Sequence, residues 1–274
     1  NHNTIGAASQ EPYVWPNSVL PSARQALEIR YSLIPYFYTL HDQAHKTGKP
    51  VWQPLFFKYP QDPDFVLKID RQFLLGDAIL VSPALYKGQI QVKAYFPGKG
   101  RWFDLWTHEC VMEAERDNQA APSKLKARAD GGGDGDGERA HRYKFLSAKL
   151  ESEPIPMSLE GGHIIPIQTP KLTVAETRLQ PVSLIIALDD VGFAKGEVYV
   201  DDGTSVNNNN AQASVSWELK GGQQLTSNAL LKDMTAVQAQ AFRTSVGHSD
   251  RIEKVVILGL NFAQSVDSDA IAGQ

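Results

Sequence analysis

One change of period governs what this chain can fold into. Between residues 21 and 46 apolar side chains recur at steps of mostly three or four: Ala23, Ala26, Leu27, Leu33, Phe37, Leu40 and Ala44. Pro21 stands near the first turn, and Gly48 then Pro50 close the run, so the spacing predicts one helix over 21–46. Pro35 removes one ladder hydrogen bond inside it, which predicts a kink near Arg30–Tyr31 rather than a break, because the stripe continues in phase. Beyond Pro50 no comparable stripe appears, and the sequence becomes short β-type runs separated by Gly, Pro and Asp.

The run Val51–Tyr59 is almost continuously apolar, as a strand buried on both faces would be. Residues Ile90, Val92, Ala94 and Phe96 alternate with Gln91, Lys93 and Tyr95, the pattern of a sheet with one wet face. Further strands are expected at Ala78–Val81, Arg101–Leu105, Ile164–Ile167, Val182–Leu188, Glu197–Val200, Ser214–Lys220 and Lys254–Leu260. Turns such as Asp202-Gly203 between them point to antiparallel sandwiches.

Glu113–Arg142 holds seven acidic and six basic residues, five Gly, and only Leu125 among apolar residues larger than Ala. Such a stretch buries too little to offset its ordering entropy and is expected to be a disordered surface insertion, bounded at about 111–145. Asn207–Asn210 is a second, shorter polar tract.

Composition narrows the functional classes. With 27 Lys+Arg against 31 Asp+Glu there is no basic surplus for tracking phosphates, so nucleic acid is not an expected partner. Cys110 is the only cysteine, which excludes a disulfide framework or a cysteine zinc site within the chain. No run reaches the roughly 18 apolar residues of a spanning helix. The opening Asn1-His2-Asn3 has neither an initiator Met nor a signal-peptide pattern, so the sequence is expected to be part of something longer.

Each motif with chemical potential has a plainer reading. His41 and His45 have the spacing of a zincin helix, but Asp42 stands where the catalytic Glu should be and no third ligand follows; a surface or core pair is expected. Asp130–Glu138 resembles a calcium loop without its closing Glu and reads as low-complexity linker. Gly161-Gly162 precedes a strand, not a helix, so it is no phosphate cradle. Asp189-Asp190 and Asp201-Asp202 are adjacent carboxylates, expected to be turn residues. These tests leave no internal nucleophile, acid/base pair, metal cage or cofactor cradle. The polar opening Asn1-His2-Asn3 is either a loop that reaches a ligand or an exposed terminus.

Longer stretches are more specific. NHNTIGAASQEPYVW, then ALEIRYSLIPYFYTLHDQAHKTGKPVWQPLFFKYPQDP, DRQFLLGDAILVSPAL and VKAYFPGKGRWFDLW resemble the C-terminal half of the glycoside hydrolase family 31 α-glucosidases. The likeness resumes after the insertion with PIPMSLEGGHIIPIQTPKLTVAETRLQPVSLIIALDD and GEVYVDDGTS, and ends weakly around KVVILGLNF. It is densest over about 1–110 and 150–205. The histidine flanked by asparagines and the ETR and YVDDG segments are most similar to the acid, lysosomal, maltase-glucoamylase and secreted fungal branch.

The resemblance implies a fold class: the end of a (β/α)8 barrel over residues 1–70, a proximal β-sandwich over 71–175 interrupted at 111–145, and a distal β-sandwich over 176–274. It implies a retaining exo-α-glucosidase acting on maltose, oligosaccharides, starch or glycogen, with no cofactor and no metal. The two catalytic aspartates of the family lie in motifs this sequence does not contain, so no catalytic residue is assigned here. The upstream barrel half of the same protein is the implied partner. His2 is the one carried-over substrate-binding residue, matching the histidine that hydrogen-bonds glucose in the −1 subsite at the C-terminal face of the barrel. Arg30, Arg101, Trp102 and Trp106 are expected in packing and interdomain contacts. The implied compartment is secreted, vacuolar or lysosomal, although no Asn-x-Ser/Thr sequon supports that route. Two other readings stand beside this one: a structural or carbohydrate-binding β-sandwich module, which exposed Trp or Tyr platforms would favour, and another family 31 activity such as α-xylosidase or α-glucan lyase.

Overall fold

The computed structural model describes residues 4–17, 19–115, 142–149, 154–201, 203, 212–232 and 252–260. His2, Asp130–Glu138, Asp202 and Asn207–Asn210 lie outside the described residues.

After a short 3-10 turn at Pro12–Val14, the predicted helix is two helices, α1 (Val19–Ser32) and α2 (Ile34–Thr47). The interruption falls at Leu33, not at the expected kink near Arg30–Tyr31, and it is a break in the helix, one residue long. Pro35 occupies the first turn of α2, where its missing N–H costs least, while Leu33 N–H still donates to the Ile29 carbonyl and the Leu33 carbonyl accepts from Phe37 N–H. Gly48 ends α2 with φ 76°, the left-handed cap that glycine provides.

The expected strand Val51–Tyr59 is a correction. Only β1 (Trp52–Gln53) is extended; after Pro54 the chain forms the short helix α3 (Leu55–Lys58), followed by α4 (Pro63–Val66). The buried residues Val51, Leu55 and Tyr59 recur every four positions, whereas Trp52, Phe56 and Phe57 are exposed. An unbroken apolar run hid that helical spacing.

Among the described residues thirteen further strands follow: β2 (Phe73–Leu75), β3 (Ile79–Val81), β4 (Gln91–Tyr95), β5 (Trp102–Asp104), β6 (Cys110–Met112), β7 (Tyr143–Ser147), β8 (Met157–Glu160), β9 (His163–Gln168), β10 (Val182–Ala187), β11 (Ala194–Val200), β12 (Gln212–Lys220), β13 (Gln224–Lys232) and β14 (Ile252–Leu258). The helix α5 (Val174–Arg178) lies between β9 and β10, its start fixed by a capping box between Thr173 and Glu176. The first sheet runs β1-β2-β3-β8-β5-β6, the second β13-β12-β11-β9-β10-β14, and β4 pairs with β7 alone. The first sheet is antiparallel throughout, but β14 joins β10 in parallel and β11 meets β9 in parallel, so the second sheet is mixed.

Strand alternation sorts the core. Leu75, Ile79, Val81, Phe103 and Leu159 point from the first sheet toward Leu33, Tyr36 and Leu40 of the helices and Ile165, Ile185, Ala187 and Leu258 of the second sheet. Leu74, Leu80 and Trp102 point the other way, onto Leu55, Phe65, Tyr95 and Phe96. Ile164, Leu184, Ile186, Val198 and Trp217 form a third cluster on the far face of the second sheet. Strands β9 and β10 are buried on both faces, which is why their sequences read as unbroken apolar runs.

The chain changes sheets at Gly161-Gly162, between β8 and β9. A Cβ on Gly161 would stand 2.7 Å from the Leu188 carbonyl oxygen and 3.0 Å from Arg101 Cγ, so this crossing needs glycine. Both ends of the expected insertion are ordered, a second correction: Val111 and Met112 belong to β6, Tyr143–Phe145 to β7, and Arg142 is fully buried. Its guanidinium donates to the carbonyls of Phe96, Glu113 and Gly100 at 2.9–3.0 Å. Residues 116–141 lie outside the described residues.

Candidate functional site

Where α2 meets both sheets, short connections bring polar side chains together. The turn between β2 and β3 places Gly76 at φ 60° and then Asp77, while Tyr36 of α2 donates to the Leu75 carbonyl at 2.9 Å. Lys49, just beyond α2, pairs with the Asp77 carboxylate, and Gln53 of β1 donates to Gly76 O at 2.9 Å. Lys58 at the end of α3 bonds both the Asp77 carbonyl and the Glu160 carboxylate. His163, two residues past the sheet crossing, has Nδ1 3.2 Å from Glu160 O.

The electrostatics follow from that packing. Burial pushes the Asp77 carboxyl up, but the Lys49 hydrogen bond and charge, with Lys58 and His163, outweigh it and hold the group below the usual carboxylate range. Burial, reinforced by the Lys58 charge, lowers His163 below an ordinary imidazole against the opposing pull of Glu160 and Asp77. Burial raises the Tyr59 hydroxyl, and the adjacent Glu160 charge adds to the effect. The lysines thus favour the ionised form of Asp77, while burial first and Lys58 second disfavour protonation of His163, the opposite of a proton donor poised near neutrality.

Beside this cluster opens a cleft of about 700 Å³. Tyr36, Thr39, Leu40 and Gln43 of α2 line it on one side and β11–β13 on the other, and Asp77 and His163 line it as well. The sheet wall has a register: Lys195 lies opposite Glu218, and Glu218 opposite Thr226; Glu197 lies opposite Ser216, and Ser216 opposite Asn228. These are the polar positions of alternating strands, whose other face carries Trp217 and Leu219 into the core. Gln43 Nε2 donates to Glu197 Oε1 at 2.7 Å across the cleft.

A second clasp holds α2 to the same sheet. Thr39 Oγ1 accepts from Tyr199 N at 2.9 Å, Tyr38 donates to Asp201, and Arg178 donates to the Asp201 carboxylate at 3.0 Å. Asp201 also accepts from Gly203 N, and Asp189 from Val191 and Phe193 N, so both serve as turn residues. His41 packs edge-on to Trp52, with ring centroids 6.1 Å apart. Among the described residues, no three His, Cys, Asp or Glu gather as a metal-holding group. Arg101 bridges the sheets through Asp190 at 3.2 Å and Gly259 O at 3.3 Å, Trp102 is fully buried, Trp106 packs against the central core, and Arg30 is exposed. Sequence reasoning singled out neither Asp77, Lys58, Glu160 nor Gln43; the cleft joins elements more than 150 residues apart, and no local spacing encodes it.

Comparison with known proteins gives this architecture a lineage. Residues 1–40 match the glycosyl hydrolases family 31 TIM-barrel domain and residues 48–165 the glycosyl hydrolase family 31 C-terminal domain, together more than half of the chain. The chain belongs to glycosyl hydrolase family 31. It is 40% identical over 206 residues to an alpha-glucosidase of Mucor javanicus, covering 75% of this chain and 21% of that protein. It is 36% identical over 260 residues to the lysosomal alpha-glucosidase of Bos taurus, covering 95% and 25%, respectively. An alpha-glucosidase of Schizosaccharomyces pombe aligns along the whole chain at 34% identity and 24% of its own length. This family 31 chain therefore spans about a quarter of the relatives it matches. Among solved structures, the Tris-bound alpha subunit of glucosidase II shares the fold with a TM-score of 0.70 at 23% identity, over 94% of this chain and 25% of that one. A GH31 dextranase of Flavobacterium johnsoniae complexed with glucose shares it with a TM-score of 0.65 at 21% identity, over 84% and 25%.

Proposed function

We propose that this chain is the C-terminal part of a retaining exo-α-glucosidase that removes terminal α-linked glucose from maltose, oligosaccharides, starch or glycogen. The carrying observation is the similarity to alpha-glucosidases at 34–40% identity, which in the Schizosaccharomyces pombe relative extends along the whole chain. In this reading residues 1–70 complete the catalytic barrel, 71–175 and 176–274 form the proximal and distal β regions, with β9 of the first stretch pairing into the second sheet, and the two catalytic aspartates belong to barrel motifs that these 274 residues do not contain. Retention requires those carboxyl groups to stand ~5–5.5 Å apart. His2 is the chain's contribution to the glucose site, donating to a sugar hydroxyl.

The uncovered surface of α1 supports an upstream barrel half as the partner. None of its residues is buried, and Val19 and Leu27 are exposed together with Tyr13 and Trp15 before it. The compartment in this reading is secreted, vacuolar or lysosomal, and the Bos taurus relative, a lysosomal alpha-glucosidase by name, supports the last. Among the described residues no helix is long and apolar enough to cross a membrane. The binding-module reading gains little from the second sheet, where Trp217 and Tyr199 are buried and offer no platform. The test is a substrate panel on the full-length enzyme. Glucose should be released from maltose and maltooligosaccharides; xylose from α-xylosides with no glucose from maltose would replace this reading by a different family 31 activity.

A further inference from the structure

We propose that the cleft between α2 and β11–β13 is a non-catalytic binding site for a neutral oligosaccharide. At about 700 Å³ it falls within the ~300–1,000 Å³ of small-molecule sites. Its polar groups are mixed: the Gln43 and Asn228 amides, the Ser216 and Thr226 hydroxyls, and the Glu197 and Glu218 carboxylates. A sugar hydroxyl both donates and accepts, so a wall of interleaved donors and acceptors suits a polyol better than any ligand of single polarity.

Charge selects further. Each carboxylate named in the cleft has a partner: Asp77 with Lys49, Glu218 with Lys220 at 3.1 Å, and Glu197 with Gln43 at 2.7 Å. A full ligand charge is therefore not called for, while the second carboxylate oxygens of Glu197 and Glu218 remain good acceptors for hydroxyl donors. Asp77, Glu197 and Glu218 stand against Lys195 in the lining and Lys49 and Lys220 beside it, so the cleft has no basic surplus to call for phosphate or uronate. The short side chains at Ser216, Thr226 and Asn228 leave the sheet floor open. Gln43 and Glu197 bridge the two walls, so a bound chain would tie the barrel-end helix to the second sheet. With Trp217 turned into the core there is no stacking platform, and binding rests on hydrogen bonds.

This inference rests on the α-glucosidase reading only for the choice of probe and of intact enzyme. Maltotriose is titrated calorimetrically into full-length enzyme whose catalytic site is kept saturated with 1-deoxynojirimycin. Saturable binding should persist, be abolished by Ser216→Trp, which fills the cleft from an exposed position, and weaken about tenfold in Glu197→Ala. Maltose turnover should be unchanged in both variants, and trigalacturonate should not bind. Absence of binding in the blocked enzyme, equal binding by folded Ser216→Trp, or equally tight binding of trigalacturonate would overturn the proposal. Failure to hydrolyse maltose would instead strike at the α-glucosidase reading, because the blocked-site titration does not depend on turnover.

Discussion

Asp77 and His163 share one junction, and the balance of burial and neighbouring charge disfavours the protonation of each. Asp77 is held low by Lys49, Lys58 and His163 against its burial, so it stabilises the fold above its unfolded value of 3.8 and loses that contribution as pH falls through its folded value. His163 is lowered by burial and Lys58, so below about 6.5 the unfolded chain gains a proton that the folded chain refuses, and stability falls as pH drops toward the folded value. Thermal melting of the full-length enzyme should accordingly weaken in two stages. The stage beginning near pH 6.5 should be smaller in His163→Asn, and the stage below pH 3.8 smaller in Asp77→Asn; wild-type-like pH profiles in both variants would contradict this. Neither residue was legible in advance. Asp77 sits in a segment that reads as a strand flank, and His163 follows two glycines that read as the approach to a strand and not as a phosphate cradle. His2 was legible only through resemblance, since a histidine between two asparagines has no spacing that names its role.

Among the elements, β4, β5, β6 and β7 depend on one side chain that composition placed in a solvated insertion. Arg142 precedes β7 and donates to carbonyls following β4, preceding β5 and following β6. Replacing it with Met would leave those acceptors unpaired at ~1–3 kcal/mol each, and Lys cannot restore the planar fork. Denaturant unfolding should show Arg142→Met destabilised by about 3 kcal/mol or more and Arg142→Lys by a comparable amount; a loss below about 1 kcal/mol in both would show that the strand ends hold without it. Long strands such as β10 and β12 were readable because their runs are bounded by turn residues and extend over several periods. The three-residue strands β2 and β6 carry too few positions to show a period, whereas β3 and β5, equally short, were legible from their apolar content and the nine-residue β13 was not expected. Pro35 was read correctly as a perturbation but misplaced, because a proline is tolerated in the first turn of a new helix as readily as it bends an old one. The residues of α5 carry a capping box, Thr173 and Glu176, that was there to be read.

At the scale of the whole molecule, one core draws on α2, the first sheet and the second sheet together, so the barrel-end helix and the β region are packed as neighbours rather than strung as separate pieces. The β-rich class followed from the change of period at Pro50, but the crossing of sheets at Gly161-Gly162 and the parallel entry of β14 are long-range pairings that no local pattern specifies. Under the proposed α-glucosidase reading, that arrangement has a supporting role: it braces the end of a barrel, and the role proposed for His2 is in a sugar site whose carboxylates belong to upstream barrel motifs. The most direct test is early-time proton NMR of maltose hydrolysis by full-length wild-type enzyme and its His2→Ala variant. The account predicts α-glucose as the first-formed anomer from both, released about 100-fold more slowly by the variant. First-formed β-glucose, or equal rates from the two enzymes, would contradict it.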